Sequence, residues 1–222
     1  MRRLMEDVER IELSNGMEVV VQRTQTSTIA AELEVNAGAL YEEKGEEGLA
    51  HFLEHVIVPP RNHPDFAILK LLGSVIGGGS NSRMFQALSR RKGLAYRVSG
   101  GYFGGDNFGD IYVRGNFLAR RTEEAIDTIF DEFERIKSEG VTEVELDAKK
   151  KGANYMIAKS FETNRSRLEM IRDVLTFGTN PEQFYREIAE ASSERIVEIA
   201  RKYLPSSRED NGYGILIRNP LM

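Results

Sequence analysis

The chain has 222 residues, 41% of them hydrophobic and 29% charged, with a formal net charge of -5. That balance supports the core of one large domain or two small ones and argues against an intrinsically disordered chain. There is no cysteine. This excludes disulfides, thiol catalysis and cysteine-ligated zinc, so a metal would have to be held by His, Asp or Glu. No long basic cluster stands out, and nucleic acid is not an expected partner. The opening residues Met1 to Leu13 include two arginines but no apolar run behind them, so no secretory signal is read there. Nor does any apolar run reach membrane-spanning length, and the expected setting is cytoplasmic, away from membranes.

Val8 to Leu13 and Met17 to Arg23 flank Ser14-Asn15-Gly16, and the Asn-Gly pair predicts a hairpin. Ile29, Ala31, Leu33 and Val35 alternate with more polar neighbours and predict a strand with one buried face, ended by Ala37-Gly38-Ala39. A charged loop, Glu42 to Gly48, leads into Gly48-Leu49-Ala50-His51-Phe52-Leu53-Glu54-His55. On a helix, His51 and His55 sit one turn apart on the same face, with Glu54 beside them. This is the inverted His-x-x-Glu-His order of zinc peptidases. Two neutral imidazoles there can bind one zinc ion, and the carboxylate can take a proton from a metal-bound water. The competing reading is an amphipathic core helix, with Leu49, Phe52, Leu53 and Val56 as its apolar stripe.

Pro59-Pro60 stops that helix. His63, in Asn62-His63-Pro64, is either a solvated loop residue or a third metal ligand. Asp65 to Ile76 predicts an apolar helix. Gly77-Gly78-Gly79-Ser80-Asn81-Ser82-Arg83 lacks the Gly-Lys-Ser/Thr of a phosphate cradle and reads as a turn, with Ser80 or Ser82 capping a second helix over Arg83 to Arg91. Leu94 to Tyr102 and Asp110 to Phe117 predict two strands; in the second, Ile111 and Val113 alternate with Asp110, Tyr112 and Arg114. A helical half follows. Thr122 is the expected cap of a helix with stripe Ile126, Ile129, Phe130, Phe133 and Ile136, closed by Gly140. Thr142 and Glu145 make a capping box for the next helix, and Asn180-Pro181 opens another. Ser193 to Tyr203 is a further helix, and Tyr213, Ile215 and Ile217 mark a last strand. The order of elements describes an α+β fold, a mainly antiparallel sheet with helices packed on one side.

Three pieces together resemble the insulinase–pitrilysin family of zinc peptidases. They are Leu13 to Met17 with the strand and bend that follow, the GLAHFLEH run, and Leu72 through Tyr96 with its Ile76-Gly77-Gly78-Gly79, Ser82-Arg83-Met84-Phe85 and Lys92-Gly93-Leu94-Ala95-Tyr96 segments. The helical half from Thr122, clearest at Val141 to Leu146, extends the likeness over nearly the whole chain. Residues 1–58 resemble the metal-binding half of such enzymes and 62–222 the partner half, within one expected domain, 1–222. The resemblance implies a zinc-dependent metallopeptidase hydrolysing extended, unfolded peptides through a metal-activated water. His51 and His55 would be zinc ligands, Glu54 the general base, and Tyr96 a substrate-binding residue that polarises the scissile carbonyl. One domain-sized chain supplies one wall of the family's chamber, so a homodimer or second subunit is implied.

Two departures accompany the likeness. Where the family has an arginine seven residues before the tyrosine, this chain has Ser89, and Arg90 and Arg91 point elsewhere on a helix. The third ligand is open between Glu132, His63 and none. Spacing selects Glu132, which lies off its helix's apolar stripe and also reads as a solvated residue. Pattern selects Gly152, counted from Glu145, and glycine cannot ligate. These departures support the alternative reading, a catalytically inactive relative acting as a peptide-binding or partner subunit.

Overall fold

The computed structural model describes residues 8–12, 18–22, 55–105, 108–117, 119–207 and 210. The fold is α+β, with antiparallel sheets and helices packed to one side. β1 (Val8–Glu12) and β2 (Glu18–Gln22) pair antiparallel, from Val8 opposite Gln22 to Glu12 opposite Glu18, the register of the predicted hairpin. The expected strand at residues 29–35 and the one at 213–217 lie outside the described residues.

β3 (His55–Val58), β4 (Ala95–Gly104) and β5 (Gly109–Phe117) form a second sheet in the order β3-β5-β4, both pairings antiparallel. Here the structure corrects the sequence. His55 to Val58 was expected to end the histidine helix, and it is a strand. Val56-Ile57-Val58 is a β-branched run, stiff at χ1 and suited to a pleated surface. β5 supplies its pairing partner, with Val58 opposite Gly109 and His55 opposite Tyr112. Pro59 and Pro60 therefore end a strand, and the Pro59 carbonyl accepts a 2.9 Å hydrogen bond from the Tyr102 hydroxyl.

α1 (Phe66–Gly77) lies across β4 and is the centre of the core, with Leu69, Leu72 and Ile76 fully buried. Gly73 and Gly77, one turn apart, face the backbone of Gly100 and Gly101. A Cβ at Gly73 would stand 2.5 Å from the Tyr102 amide nitrogen, and one at Gly77 would overlap the Gly100 Cα. Helix and strand meet backbone to backbone because none of these four residues carries a side chain.

The predicted helix before β4 exists, but over Phe85–Arg91 it is a π-helix. Its last turn is wide: the Lys92 amide donates to the Ala87 carbonyl at 3.1 Å and the Leu94 amide to the Leu88 carbonyl at 2.7 Å. Ser82 Oγ accepts from the Phe85 amide at 3.4 Å, a weak form of the expected cap. A short 3₁₀ turn (Ala119–Arg121) leads into α2 (Thr122–Glu139). Thr122 is the first helical residue of α2 and does not cap it, because Arg121 holds the cap position without a side-chain bond. Gly140, at φ 75°, closes the helix as predicted.

α3 (Glu143–Ser160) opens on the full Thr142–Glu145 capping box, and α5 (Pro181–Glu190) on Asn180 with proline in its first turn. Between them α4 (Asn164–Phe177) is capped by Thr163, and α6 (Ser193–Tyr203) is capped by Ser192. α6 and α2 close the core with Ile196, Ile199 and Ile136. Among the described residues no helix is long and apolar enough to cross a membrane.

Candidate functional site

Where β4 begins and β5 ends, the sheet exposes Tyr96, Arg97 and Ser99 of β4 and Arg114 and Asn116 of β5. Ile111, Val113 and Phe117 of β5, with Val98 and Tyr102 of β4, pack on the core. By the two-residue period of a strand, Tyr112, Arg114 and Asn116 stand on the opposite face, and register places Ser99 of β4 beside Arg114. A β-bulge between Ala95 and Val98 re-aims the start of β4. There the face is hollowed. A cavity of about 400 Å3 is lined by Phe85 from the π-helix, Tyr96, Arg97 and Ser99 from β4, and Arg114 and Asn116 from β5. The Arg114 guanidinium lies over the Tyr112 ring at 4.7 Å, and Arg90 lies over Phe85 at 5.5 Å. Tyr96 is 86% exposed at the mouth of this hollow. Among the described residues β4 has β5 on one side and an open edge on the other.

Of the sequence-predicted site residues, Tyr96 is the one whose side chain the described structure places at this hollow. His51 and Glu54 lie outside the described residues. The backbone of His55 is in β3. His63 is half-buried in the turn before α1, and its Nδ1 accepts a 3.0 Å hydrogen bond from the Asp65 amide. Asp65 is itself engaged by Arg195 Nη2 at 2.7 Å, Lys202 Nζ at 2.8 Å and the Tyr203 hydroxyl at 2.7 Å. Burial raises the Asp65 carboxyl, but these hydrogen bonds and the charges of Lys202 and Arg195 outweigh it and leave the pKa lowered. This cluster ties the start of α1 to α6.

Glu132 is not a solvated residue. Its side chain is 4% exposed, because Thr128, Glu132 and Ile136 follow one another at four-residue spacing down the buried face of α2. One oxygen accepts from Arg91 and, at 3.0 Å, from Arg135. Glu145 is held by Arg83, with Nη2 to Oε2 at 2.8 Å, while the same nitrogen donates to the Gly140 carbonyl at 3.0 Å. Arg91 is half exposed but pinned to the buried Glu132 carboxylate. Among the described residues no group of three or more His, Asp or Glu side chains comes together to hold a metal ion.

Residues 3–153 match the family model described as the peptidase M16 inactive domain. The chain belongs to that family. It is 26% identical over 137 residues to the uncharacterized zinc protease YmxG of Bacillus subtilis, covering 60% of this chain and 34% of that protein. To the uncharacterized zinc protease ML0855 of Mycobacterium leprae it is 27% identical over 193 residues, covering 84% of this chain and 42% of that one. The chain therefore spans a third to two fifths of the length of these relatives. The fold is also that of the M16 inactive domain from Pseudomonas fluorescens (TM-score 0.61, 22% identity, 68% of this chain and 37% of that one). It matches equally the inactive peptidase domain of a putative zinc protease from Bordetella parapertussis (TM-score 0.61, 18% identity, 75% of this chain and 92% of that one).

Membership in the inactive-domain family and the lack of a three-residue donor set among the described residues overturn the catalytic expectation. Catalytic zinc sites need three protein ligands plus water. The expected zinc cofactor, the zinc metalloendopeptidase activity and the hydrolase, protease and metal-binding terms that went with them are corrected accordingly. So is the expectation of an unfolded peptide as a cleaved substrate in a chamber completed by a homodimer or second subunit.

The two arginines of the hollow, Arg97 and Arg114, were not singled out from the sequence. The alternation of Ile111 and Val113 with Tyr112 and Arg114 already assigned Arg114 to the face away from the core. The bulge that brings Arg97 to the same place leaves no comparable pattern.

Proposed function

We propose that this chain is a non-catalytic M16 domain that binds extended peptide without cleaving it. The observation that carries the reading is the hollowed sheet face beside the edge of β4 that has no partner strand among the described residues, with Tyr96 at its mouth, in a domain of the inactive family. An unpaired strand edge offers a row of backbone donors and acceptors to a peptide added as a further strand, while side-chain hollows on the face take its alternate residues. Tyr96 supplies a large, rigid ring and a hydroxyl donor to that peptide. The π-helix that feeds β4 supports the same location, since such wide turns gather at functional sites.

In this proposal residues 1–222 form one domain. The family match supports it by running without interruption from residue 3 to 153, across the boundary between the part resembling a metal-binding half, 1–58, and the part resembling a partner half, 62–222. A cytoplasmic setting, which the cysteine-free composition suits, belongs to the proposal as well.

The test is fluorescence anisotropy of a labelled extended peptide titrated with the full chain, with Tyr96→Ala alongside. Saturable binding, weakened about tenfold or more by Tyr96→Ala while the circular dichroism spectrum is unchanged, is the expected result. Binding that does not saturate, or that ignores Tyr96, contradicts the site.

A further inference from the structure

We infer that the hollow selects acidic peptide segments, with Arg97 and Arg114 as the carboxylate-binding residues and Arg90 at the rim; this rests on the peptide-binding reading above. The chain holds 35 Asp and Glu against 30 Lys and Arg, so acids are in surplus overall. Most cations around the core have found one of them: Arg61 pairs with Asp173, Arg83 with Glu145, Arg91 with Glu132 and Arg195 with Asp65. Even the second, polar hollow, with Arg83, Arg91 and Arg135, carries Glu139 and Glu145 in its own wall. The hollow on the sheet face is different. Among the described residues no Asp or Glu lines it. Among the described residues Arg97, Arg114 and Arg90 make no hydrogen bond or ion pair.

The arginines are also prepared for a carboxylate. The Arg114 guanidinium lies over the Tyr112 ring at 4.7 Å and that of Arg90 over Phe85 at 5.5 Å. Such cation–π contacts occupy no N–H donor, and the N–H edge of a guanidinium matches a carboxylate with two parallel hydrogen bonds.

Ser99 lies directly opposite Arg114, and Arg97 lies in the bulge two residues before Ser99, so both arginines line the one hollow. Side chains on one face of an extended peptide recur every second residue, about 7 Å apart. A segment with acids at alternate positions, laid along β4, would present one carboxylate to each arginine. Ser99, Asn116 and Tyr96 add neutral donors around them.

The test uses three labelled peptides of equal length and backbone pattern, with Glu, Gln or Lys at alternate positions, titrated into the full chain at physiological salt. The Glu peptide is expected to bind about tenfold more tightly than the Gln peptide, and the Lys peptide more weakly than either. Reversing both charges, Arg97→Glu with Arg114→Glu, should invert the order of the Glu and Lys peptides. A fold check by circular dichroism accompanies it, and Arg120→Glu, an exposed charge away from the hollow, serves as the control that should leave the order intact. Equal affinity for all three peptides overturns the acidic preference and leaves peptide binding standing. An equal effect of Arg120→Glu overturns the site by showing a diffuse charge effect. Failure of all three peptides to bind overturns the peptide-binding reading and this inference with it.

Discussion

Asp110 stands at the start of β5, 6% exposed, and burial pushes its carboxyl up to about 6 against the counteracting Phe103 amide and Arg114 charge. Between its ordinary value of 3.8 and about 6, the folded chain keeps a proton that the unfolded chain has released. Stability therefore falls as pH rises through that window and stays lower above it. Asp110→Asn should melt at a higher temperature than the parent at pH 7, by about 1–3 kcal/mol of stability, and the two should converge near pH 4 in thermal melts followed by circular dichroism. Asp65 has the opposite sign. Its lowered carboxyl contributes stability above the unfolded value, and that contribution is lost as pH falls through the folded one. Asp65→Asn should cost about 2 kcal/mol at pH 7 in urea denaturation, with the difference shrinking below pH 4. Neither role was legible from the residue type alone. Asp65 looks like any helix-start acid in the sequence, and the partners that bury it, Arg195, Lys202 and Tyr203, lie 130 or more residues away. Glu132 was misread for a related reason. An apolar stripe is drawn from apolar residues, so a carboxylate inside it is assigned to the outside unless its arginines are known.

The elements themselves were largely readable where local chemistry decides them. The Thr142–Glu145 box, Asn180-Pro181, Gly140 and the apolar face of α1 all stand where pattern put them. The histidine segment was not readable, because its two ends give opposite signals. Gly48 to Phe52 has helical spacing, whereas Val56-Ile57-Val58 is a β-branched run whose pairing partner, β5, lies about fifty residues on. Tertiary pairing decided in favour of the strand at His55–Val58. The backbone contact of α1 with β4 was likewise hidden, since glycine reads as a turn former and here it permits close approach. Gly77→Ala places a methyl group against Gly100 and should destabilise the fold by about 2–4 kcal/mol in chemical denaturation. Gly79→Ala, at φ 83° with open space around it, should cost only about 1 kcal/mol. Equal effects at the two positions would remove the close-packing account of the α1–β4 contact.

At the scale of the molecule, a domain of the M16 inactive family displays a sheet face with a tyrosine, a hollow and two arginines at a strand edge that is unpaired among the described residues. The overall α+β class followed from the order of elements, and the family likeness followed from short segments dispersed along the chain. Catalysis did not follow from either. A motif of two imidazoles and a carboxylate suffices for zinc chemistry only when a third ligand converges on them, and convergence is a property of the fold. The proposed peptide site is built from parts that the motif does not contain. The most direct check is mass spectrometry of an extended peptide incubated with the full chain, with and without added zinc, at concentrations where anisotropy shows it bound. The account predicts bound and intact peptide under both conditions, with Glu54→Gln indistinguishable from the parent. Zinc-dependent cleavage that disappears in Glu54→Gln would contradict it.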